Sequence, residues 1–155
     1  MPSTPVTQAL EAISVPHRLH VHASDVRSLA QAARERGLVP GQVVRSLLFR
    51  LESGEFILVL AAGPARVSWR RLRRHLGVSR ITTATPSEVQ EVTGYEPGAV
   101  SPYGLRRQIR ILADRTLEEH DTLSIGAGIH NAGVVLARRD LERTLPLEYG
   151  DFIGE

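Results

Sequence analysis

The apolar residues of this chain recur at helical spacing in some segments and alternate with polar residues in others. Helical spacing, with capping residues or proline at the segment ends, predicts helices over residues 5–14, 25–36, 69–76, 86–93 and 138–145. Alternation or short apolar runs predict strands over residues 17–23, 43–51, 56–62, 109–113, 122–125 and 133–137. Because strands and helices are interspersed with short connections, the pattern indicates an α/β fold with a mixed, curled sheet and helices packed outside it.

Several of these boundaries carry specific signals. Residues 85–88, Thr-Pro-Ser-Glu, form a capping box with proline at the first helical position, and Gly94 closes that helix. Ser24 and Ser68 can cap the second and third helices. The second and third strands are separated by Glu-Ser-Gly-Glu, which predicts a β-hairpin. Because no repeat, low-complexity tract or linker interrupts the pattern, we predict a single domain over residues 1–155.

The composition narrows the possible chemistry. The 155 residues are 42% hydrophobic, enough for the core of one ordinary domain. The absence of cysteine excludes disulfides, thiol nucleophiles, thiolate zinc sites and iron–sulfur clusters, and it fits a cytoplasmic location. The N-terminus lacks the pattern of a signal peptide, and the longest apolar run, Phe56–Ala62, is far shorter than a membrane span. We therefore expect no membrane partner.

All 19 basic residues are arginine, and the sequence has no lysine. This excludes a Walker A phosphate loop and a Schiff base to pyridoxal phosphate, since both need a lysine. The formal net charge is only +2, so any surface for nucleic acid must be a local cluster. We expect no cofactor.

Arginines cluster around one predicted helix. Within residues 69–76, Trp69, Leu72 and Leu76 fall on one face, and the arginines surround the rest. The candidate contacts to a tRNA backbone are Arg70, Arg71, Arg73, Arg74, Arg106 and Arg107. The alternative interpretation is an arginine-rich helix face that only meets solvent.

Residues 93–105 form the most constrained segment of the chain, with three glycines and two prolines. Such a segment is neither helix nor strand interior. Its glycines allow a second molecule to approach the main chain, so backbone N–H groups could bind an oxyanion or a carboxyl ester. A purely structural turn is the other interpretation of the same pattern.

Two further motifs have weaker meanings. Residues 126–133, Gly-Ala-Gly-Ile-His-Asn-Ala-Gly, follow a strand but lead into another strand, so they do not form a dinucleotide-binding loop. They remain a second glycine-rich loop that displays His130. His20 and His22 share one strand face, but no third ligand is evident, and we expect no metal site.

Arg45 lies within an otherwise apolar strand. Such a charge either faces solvent or points into a cleft, where a guanidinium can hold a phosphate or carboxylate through two hydrogen bonds.

Taken in order, these pieces resemble the YbaK/prolyl-tRNA-synthetase-associated domain family over nearly the whole chain. Residues 93–95 followed by Gly98-x-x-x-Pro102-Tyr103-Gly104 are similar to the family's Gly-x-x-x-Pro-Phe-Gly loop. Residues 45–48, the loop of Gly126 and Gly128, and the Asp140-Leu141 pair support the likeness. The resemblance implies an α/β domain with a mixed, partly closed, barrel-like sheet surrounded by helices.

The resemblance also implies a function, the hydrolysis of the ester between a wrong amino acid and the 3′ end of a tRNA. At this length the chain would act in trans, with the aminoacylated tRNA as partner and an aminoacyl-tRNA synthetase as a possible second one. The oligomeric state and the amino acid removed stay open. The implied catalytic residues are Arg45, Gly98 and His130. The implied substrate-binding residues are His22, Ser46, Ala99, Ser101, Pro102, Tyr103, Gly104, Gly126, Gly128 and Asp140.

Arg45 is the main departure from the family, which typically has a lysine there. Arginine keeps the positive charge but does not lose its proton at neutral pH, so it does not serve as a base. Either the chemistry tolerates arginine, or this member has become a weakened or inactive binder of aminoacyl-tRNA or of a small aminoacyl or nucleotide ligand.

Overall fold

The computed structural model describes residues 3–154 and contains five α-helices and eight strands. The helices are α1 (Pro5–Ala12), α2 (Leu29–Glu35), α3 (Trp69–Leu76), α4 (Pro86–Thr93) and α5 (Arg138–Thr144). The strands are β1 (His17–Val21), β2 (Val44–Leu51), β3 (Phe56–Ala62), β4 (Ile81–Thr83), β5 (Arg110–Asp114), β6 (Thr122–Gly126), β7 (Ala132–Ala137) and β8 (Leu147–Gly150). Short 3-10 turns span Pro40–Gln42 and Arg115–Glu119.

The strands form two sheets. One has three antiparallel strands in the order β1-β7-β6, and the other has five in the order β4-β2-β3-β5-β8. In the larger sheet β2 pairs antiparallel with β3 and β4, whereas β3, β5 and β8 are parallel. The predicted mixed α/β architecture is therefore confirmed. Across residues 3–154 neither sheet closes on itself, so the barrel-like detail of the prediction is not confirmed.

The two sheets meet at one edge of β2. Val43, just before β2, forms a single parallel bridge with Ser124 of β6. At the other end of the same edge, β4 pairs only with Phe49–Leu51. Between Val43 and Phe49, this edge of β2 pairs with no strand among residues 3–154. The candidate site lies at this gap.

Two apolar clusters pack on opposite faces of the larger sheet. Val44 and Leu48 of β2 belong to the main cluster, together with residues of α1, α4 and both sheets. Phe49 and Leu51 belong to the second cluster, which contains Leu72 of α3 and the fully buried Phe152. Because successive side chains of a strand point to opposite faces, the apolar side chains of β2 are divided between the two clusters.

The capping signals explain the helix boundaries. The Thr85 hydroxyl accepts a hydrogen bond from the Glu88 amide, and the Glu88 carboxylate accepts one from the Thr85 amide, which is the predicted capping box. Gly94 ends that helix with φ of 84°, a left-handed conformation that glycine adopts without strain. The boundaries of α4 therefore agree with the prediction.

Three elements differ from the predictions. The second helix begins at Leu29 rather than residue 25, because Ser28 and not Ser24 caps it by accepting from the Gln31 amide. Strands β4 and β8 were not predicted, since each is only three or four residues long.

Among the helices of residues 3–154, none has both the length and the apolar character needed to cross a bilayer.

Candidate functional site

The gap along β2 opens into a cavity of about 390 Å³. Its lining comes from β2, the segment before α3, the start of α4 and the glycine-rich segment of residues 93–105, which is called the glycine loop below. The lining residues are Ser46, Leu47, Leu48, Phe49, Arg66, Val67, Trp69, Thr83, Ala84, Pro86, Val89, Pro97, Gly98 and Val100. Most of these side chains are apolar, so the few polar groups among them orient any ligand.

Three polar groups at this cavity are unsatisfied. The Ser46 hydroxyl is buried and has no hydrogen-bond partner among the described residues. The amides of Gly98 and Val100 have no acceptor in the described part of the chain, whereas the Ala99 amide between them donates to the Glu96 carbonyl at 3.0 Å. Buried polar groups in folded proteins are nearly always paired, so the buried Ser46 hydroxyl indicates a place where a ligand binds. Gly98 is exposed, so its amide is open to solvent or to a ligand.

The glycine loop is held in place by close packing beneath it. The Tyr95 hydroxyl donates to the Tyr103 carbonyl at 2.5 Å, and burial raises the pKa of Tyr95 to about 12, so it stays protonated. A Cβ on Gly126 would lie 2.1 Å from the Val100 carbonyl oxygen, and one on Gly128 would lie 2.9 Å from the Tyr95 ring. Gly126 and Gly128 therefore let the two glycine-rich loops touch.

His130 lies directly over Gly98. A Cβ built on Gly98 would be 3.7 Å from Cε1 and 3.8 Å from Nδ1 of the His130 ring. The other ring nitrogen, Nε2, is 2.7 Å from the Glu96 carboxylate. Because an ionised carboxylate only accepts hydrogen bonds, the network assigns the proton to Nε2 and leaves Nδ1 as an acceptor on the Gly98 side.

Arg45 is adjacent to Ser46 in β2 but points to the other face of the sheet, on the side of the second apolar cluster. Its Nη2 donates to the Ala65 carbonyl, and its Nε is buried with no partner among the described residues. Burial lowers the pKa of the Arg45 guanidinium. Its side chain has no hydrogen bond to the glycine loop. Its hydrogen bond to Ala65 instead holds the segment that carries Arg66, and Arg66 does line the cavity.

His22 does not line the cavity, in contrast to the expectation for a substrate-binding residue. It is only 6% exposed, and both of its ring nitrogens have partners. Nδ1 is 2.7 Å from the Glu35 carboxylate, and Nε2 accepts from Nε of Arg36 at 3.1 Å. A ligand would have to break this buried network to reach the imidazole.

The other expected substrate residues, apart from Ser46, do not line the cavity. Four of them are buried inside the glycine loop, namely Ala99, Ser101, Pro102 and Tyr103, while Gly104 is exposed. Asp140 accepts from Arg143 at 3.0 Å. Together with burial, which is the larger cause, Asp140 raises the pKa of Tyr103. Of the predicted site residues, the structure thus brings Ser46, Gly98 and His130 together.

The predicted tRNA-contacting arginines fall into two separate groups. Arg70, Arg71 and Arg74 line a second groove of about 520 Å³ beside α3, together with Arg115, which was not predicted, while Arg73 is half-buried. Arg106 packs beside Gly94, and Arg107 forms an ion pair with Glu91 at 2.9 Å. These two residues are not part of the α3 groove.

Sequence reasoning did not identify Arg66, Trp69 or Glu96 as site residues. Trp69 was predicted to share one helix face with Leu72 and Leu76, yet it is 40% exposed and lines the cavity. One signal in the sequence could have identified Trp69: the only tryptophan of the chain is the first residue of an arginine-rich helix. Within residues 3–154, no three His, Asp or Glu side chains are grouped so that they could hold a metal ion.

Comparisons with known proteins identify the family. A family model described as the aminoacyl-tRNA editing domain matches residues 23–144. The chain is 33% identical over 121 residues to proline–tRNA ligase of Bacillus licheniformis, covering 78% of this chain but only 21% of that protein. It is 32% identical over 114 residues to the uncharacterized protein YwhH of Bacillus subtilis, covering 74% of this chain and 72% of YwhH.

Solved structures agree with this match. A protein titled as a candidate trans-editing enzyme for prolyl-tRNA synthetase superposes with a TM-score of 0.89 at 26% identity, covering 97% of this chain and 96% of that one. The hypothetical protein APE2540 superposes with a TM-score of 0.87 at 25% identity, covering 97% and 99%. With its glycine loop packed between the two sheets and the family model matched over most of its length, this chain belongs to the aminoacyl-tRNA editing domain family.

Proposed function

We propose that this protein is an aminoacyl-tRNA deacylase that acts in trans, in the cytoplasm, as a single unit over residues 1–155. One observation carries the proposal. The amides of Gly98 and Val100 and the Ser46 hydroxyl have no hydrogen-bond partner among residues 3–154, their residues line one cavity, and the His130 ring packs against Gly98. Donors placed in this way suit the developing oxyanion of an ester under attack.

The chemistry follows from these groups. The ester carbonyl oxygen accepts hydrogen bonds from the Gly98 and Val100 amides, which stabilise the negative charge of the tetrahedral intermediate. Nδ1 of His130 removes a proton from a water molecule as that water forms a bond to the ester carbon. When the intermediate collapses, the bond to the ribose oxygen breaks and that oxygen takes the proton from His130. The products are a free amino acid and a tRNA with a free 3′ end.

Glu96 positions this base without touching the substrate. Its carboxylate accepts from Nε2 of His130 at 2.7 Å, which keeps Nδ1 as the acceptor facing Gly98. Both side chains are more than half exposed, so the pair can meet a substrate that arrives from solvent. Arg45 holds the segment before α3 through its hydrogen bond to the Ala65 carbonyl.

A panel of mischarged tRNAs tests the activity. Because several relatives of this chain are proline–tRNA ligases, tRNA for proline carrying a wrong amino acid comes first. The mostly apolar lining makes small aliphatic amino acids the leading candidates, with polar ones for comparison. We expect release above the uncatalysed rate for at least one amino acid. No release from any member of the panel would refute the proposal.

Binding without hydrolysis is a second candidate function, and the orientation of Arg45 favours it. The residue that replaces the family's usual lysine points to the opposite face of the sheet from Ser46 and is not among the residues that line the cavity. Arg45→Lys separates the two functions. A large gain in hydrolysis would indicate that the native chain is a weakened enzyme, whereas a loss of hydrolysis would indicate that arginine is the functional residue. A synthetase subunit partner would be detected by co-purification.

A further inference from the structure

We propose that Trp69 stacks on an unpaired base of an RNA 3′ end, and that the arginines of α3 bind the phosphates that precede it. The inference rests on the proposed function for the identity of the RNA. It adds a base-binding surface and a path for the backbone, both on α3.

The first observation is the placement of the indole ring. Trp69 is the first residue of α3, lines the cavity and remains 40% exposed. It contacts the buried Phe49 ring edge-on, with ring centroids 5.7 Å apart and planes at 89°. This contact fixes the indole while leaving part of its surface to a ligand.

The second observation is the charge beside this ring. Arg66, from the segment before α3, lines the same cavity. The neighbouring groove is lined by Arg70, Arg71, Arg74 and Arg115, together with His75, Tyr149, Gly150 and Asp151. Asp151 is the one carboxylate of that lining, and it is 3.5 Å from Arg115. The groove therefore has a large excess of positive charge.

The aromatic cavity and the arginine groove both adjoin α3. α3 has eight residues and is about 12 Å long, and the aromatic cavity and the arginine groove lie on different sides of it, so the RNA backbone would pass around its first turn. An aromatic ring for a base beside arginines for the backbone is the arrangement that binds single-stranded nucleic acid. Single-stranded RNA supplies both a planar base for the cavity and a chain of phosphates for the arginines, whereas a lipid surface offers phosphates without a planar group that could enter the cavity.

Fluorescence tests the inference directly, because Trp69 is the only tryptophan of the chain. The full chain is titrated with an uncharged RNA stem that ends in a short single-stranded 3′ segment. We expect saturable quenching of the Trp69 emission. The same RNA without its terminal base should quench less and bind about tenfold more weakly, since stacking contributes roughly 1–3 kcal/mol per base.

Variants separate stacking from charge. Trp69→Phe should keep most of the affinity measured by anisotropy of labelled RNA, and Trp69→Ala should lose about tenfold. Arg74→Ala should weaken binding and lower the slope of log K against log salt by about one, whereas Arg34→Ala, an exposed arginine of α2, should change neither. Thermal melting of each variant excludes a folding defect, and Trp69→Phe supplies the test if Trp69→Ala melts early.

The outcomes are distinct from those of the deacylase assay. Unchanged emission, equal binding of the RNA lacking the terminal base, or no RNA binding would overturn the inference. Deacylation that does not depend on Trp69 would overturn it while leaving the proposed function intact. Base-dependent quenching without release of any amino acid would support it and count against the deacylase alone.

Discussion

The carbonyl oxygen of Val100 lies against Gly126, so close that a Cβ on that glycine would be 2.1 Å away. Gly126→Ala must therefore push the glycine loop outward and move the Gly98 and Val100 amides. We expect a loss of about 2 kcal/mol in the free energy of unfolding, a typical value for overpacking, and a clear fall in deacylation. Denaturant unfolding and a single-turnover assay measure the two effects.

Gly41→Ala provides the control for this substitution. A Cβ there would meet only the His120 side chain, at 3.1 Å, and a side chain can turn aside where a backbone carbonyl cannot. We expect a much smaller change in stability and unchanged deacylation. Equal effects of the two alanines would contradict the close loop packing described for Gly126.

Glu96 should matter for the rate only through His130. Glu96→Gln keeps a side chain of the same size but removes the ionised acceptor, so we expect kcat to fall about tenfold with little change in KM. In a chain that already carries His130→Ala, the same substitution should have almost no further effect. Independent, multiplying effects of the two substitutions would show that Glu96 does not position the histidine.

Arg36 should be the most important charged residue for stability. Besides His22, it donates to the Ser124 hydroxyl at 2.9 Å and to the Ala132 carbonyl at 3.3 Å, and burial lowers the pKa of its guanidinium. Arg36→Met would leave these acceptors unpaired, so we expect a loss of about 3 kcal/mol. Thermal and denaturant unfolding measure it.

Arg34→Met is the matched control, since Arg34 is an exposed residue of the same helix. It should change the free energy of unfolding by less than about 0.5 kcal/mol. Gly133→Ala tests the Arg36 network a second time, because the added Cβ would lie 2.4 Å from the Arg36 guanidinium carbon. If Arg36→Met is as stable as the parent chain, the buried network does not stabilise the fold.

Glu148 gives stability a pH dependence of known sign. Arg110 donates to both of its carboxylate oxygens, at 3.1 and 2.7 Å, and His75 also contacts it, which lowers the pKa of Glu148. A carboxylate with a lowered pKa in the folded state stabilises above its unfolded-state pKa and loses that effect as pH falls through the folded-state pKa.

Glu148→Gln should therefore reduce the free energy of unfolding by about 0.5 kcal/mol near neutral pH, a small value because the pair is partly exposed. The difference between variant and parent should shrink when unfolding is measured at about pH 3. A difference that grows toward acid would contradict the assignment.

Local signals predicted most of the fold. Helices α3 and α4 were found because serine and threonine caps, proline and glycine mark their ends. The hairpin of β2 and β3 was found from its apolar runs and turn residues. β4 was missed because its three residues form a strand only through pairing with Phe49–Leu51, which is a tertiary contact.

The candidate site was predicted less completely, for the same physical reason. Gly98 and Ser46 could be proposed because the loop and strand motifs surround them. His22 matched a substrate position by alignment with the family, but the sequence does not reveal that Glu35 and Arg36 take both of its nitrogens. Trp69 followed a core-face pattern, yet the open edge of β2 leaves it beside a cavity.

The single bridge between Val43 and Ser124 has a further consequence for substrate choice. The strand ladders lie within each sheet, so the distance between β6 and β4 along the edge of β2 can change without breaking any ladder of either sheet. Because the glycine loop packs on Gly126 of β6 and Ser46 belongs to β2, substitutions at this junction should shift one wall of the cavity relative to the other. If the proposed deacylation holds, such substitutions should change the size of the amino acid that is released fastest.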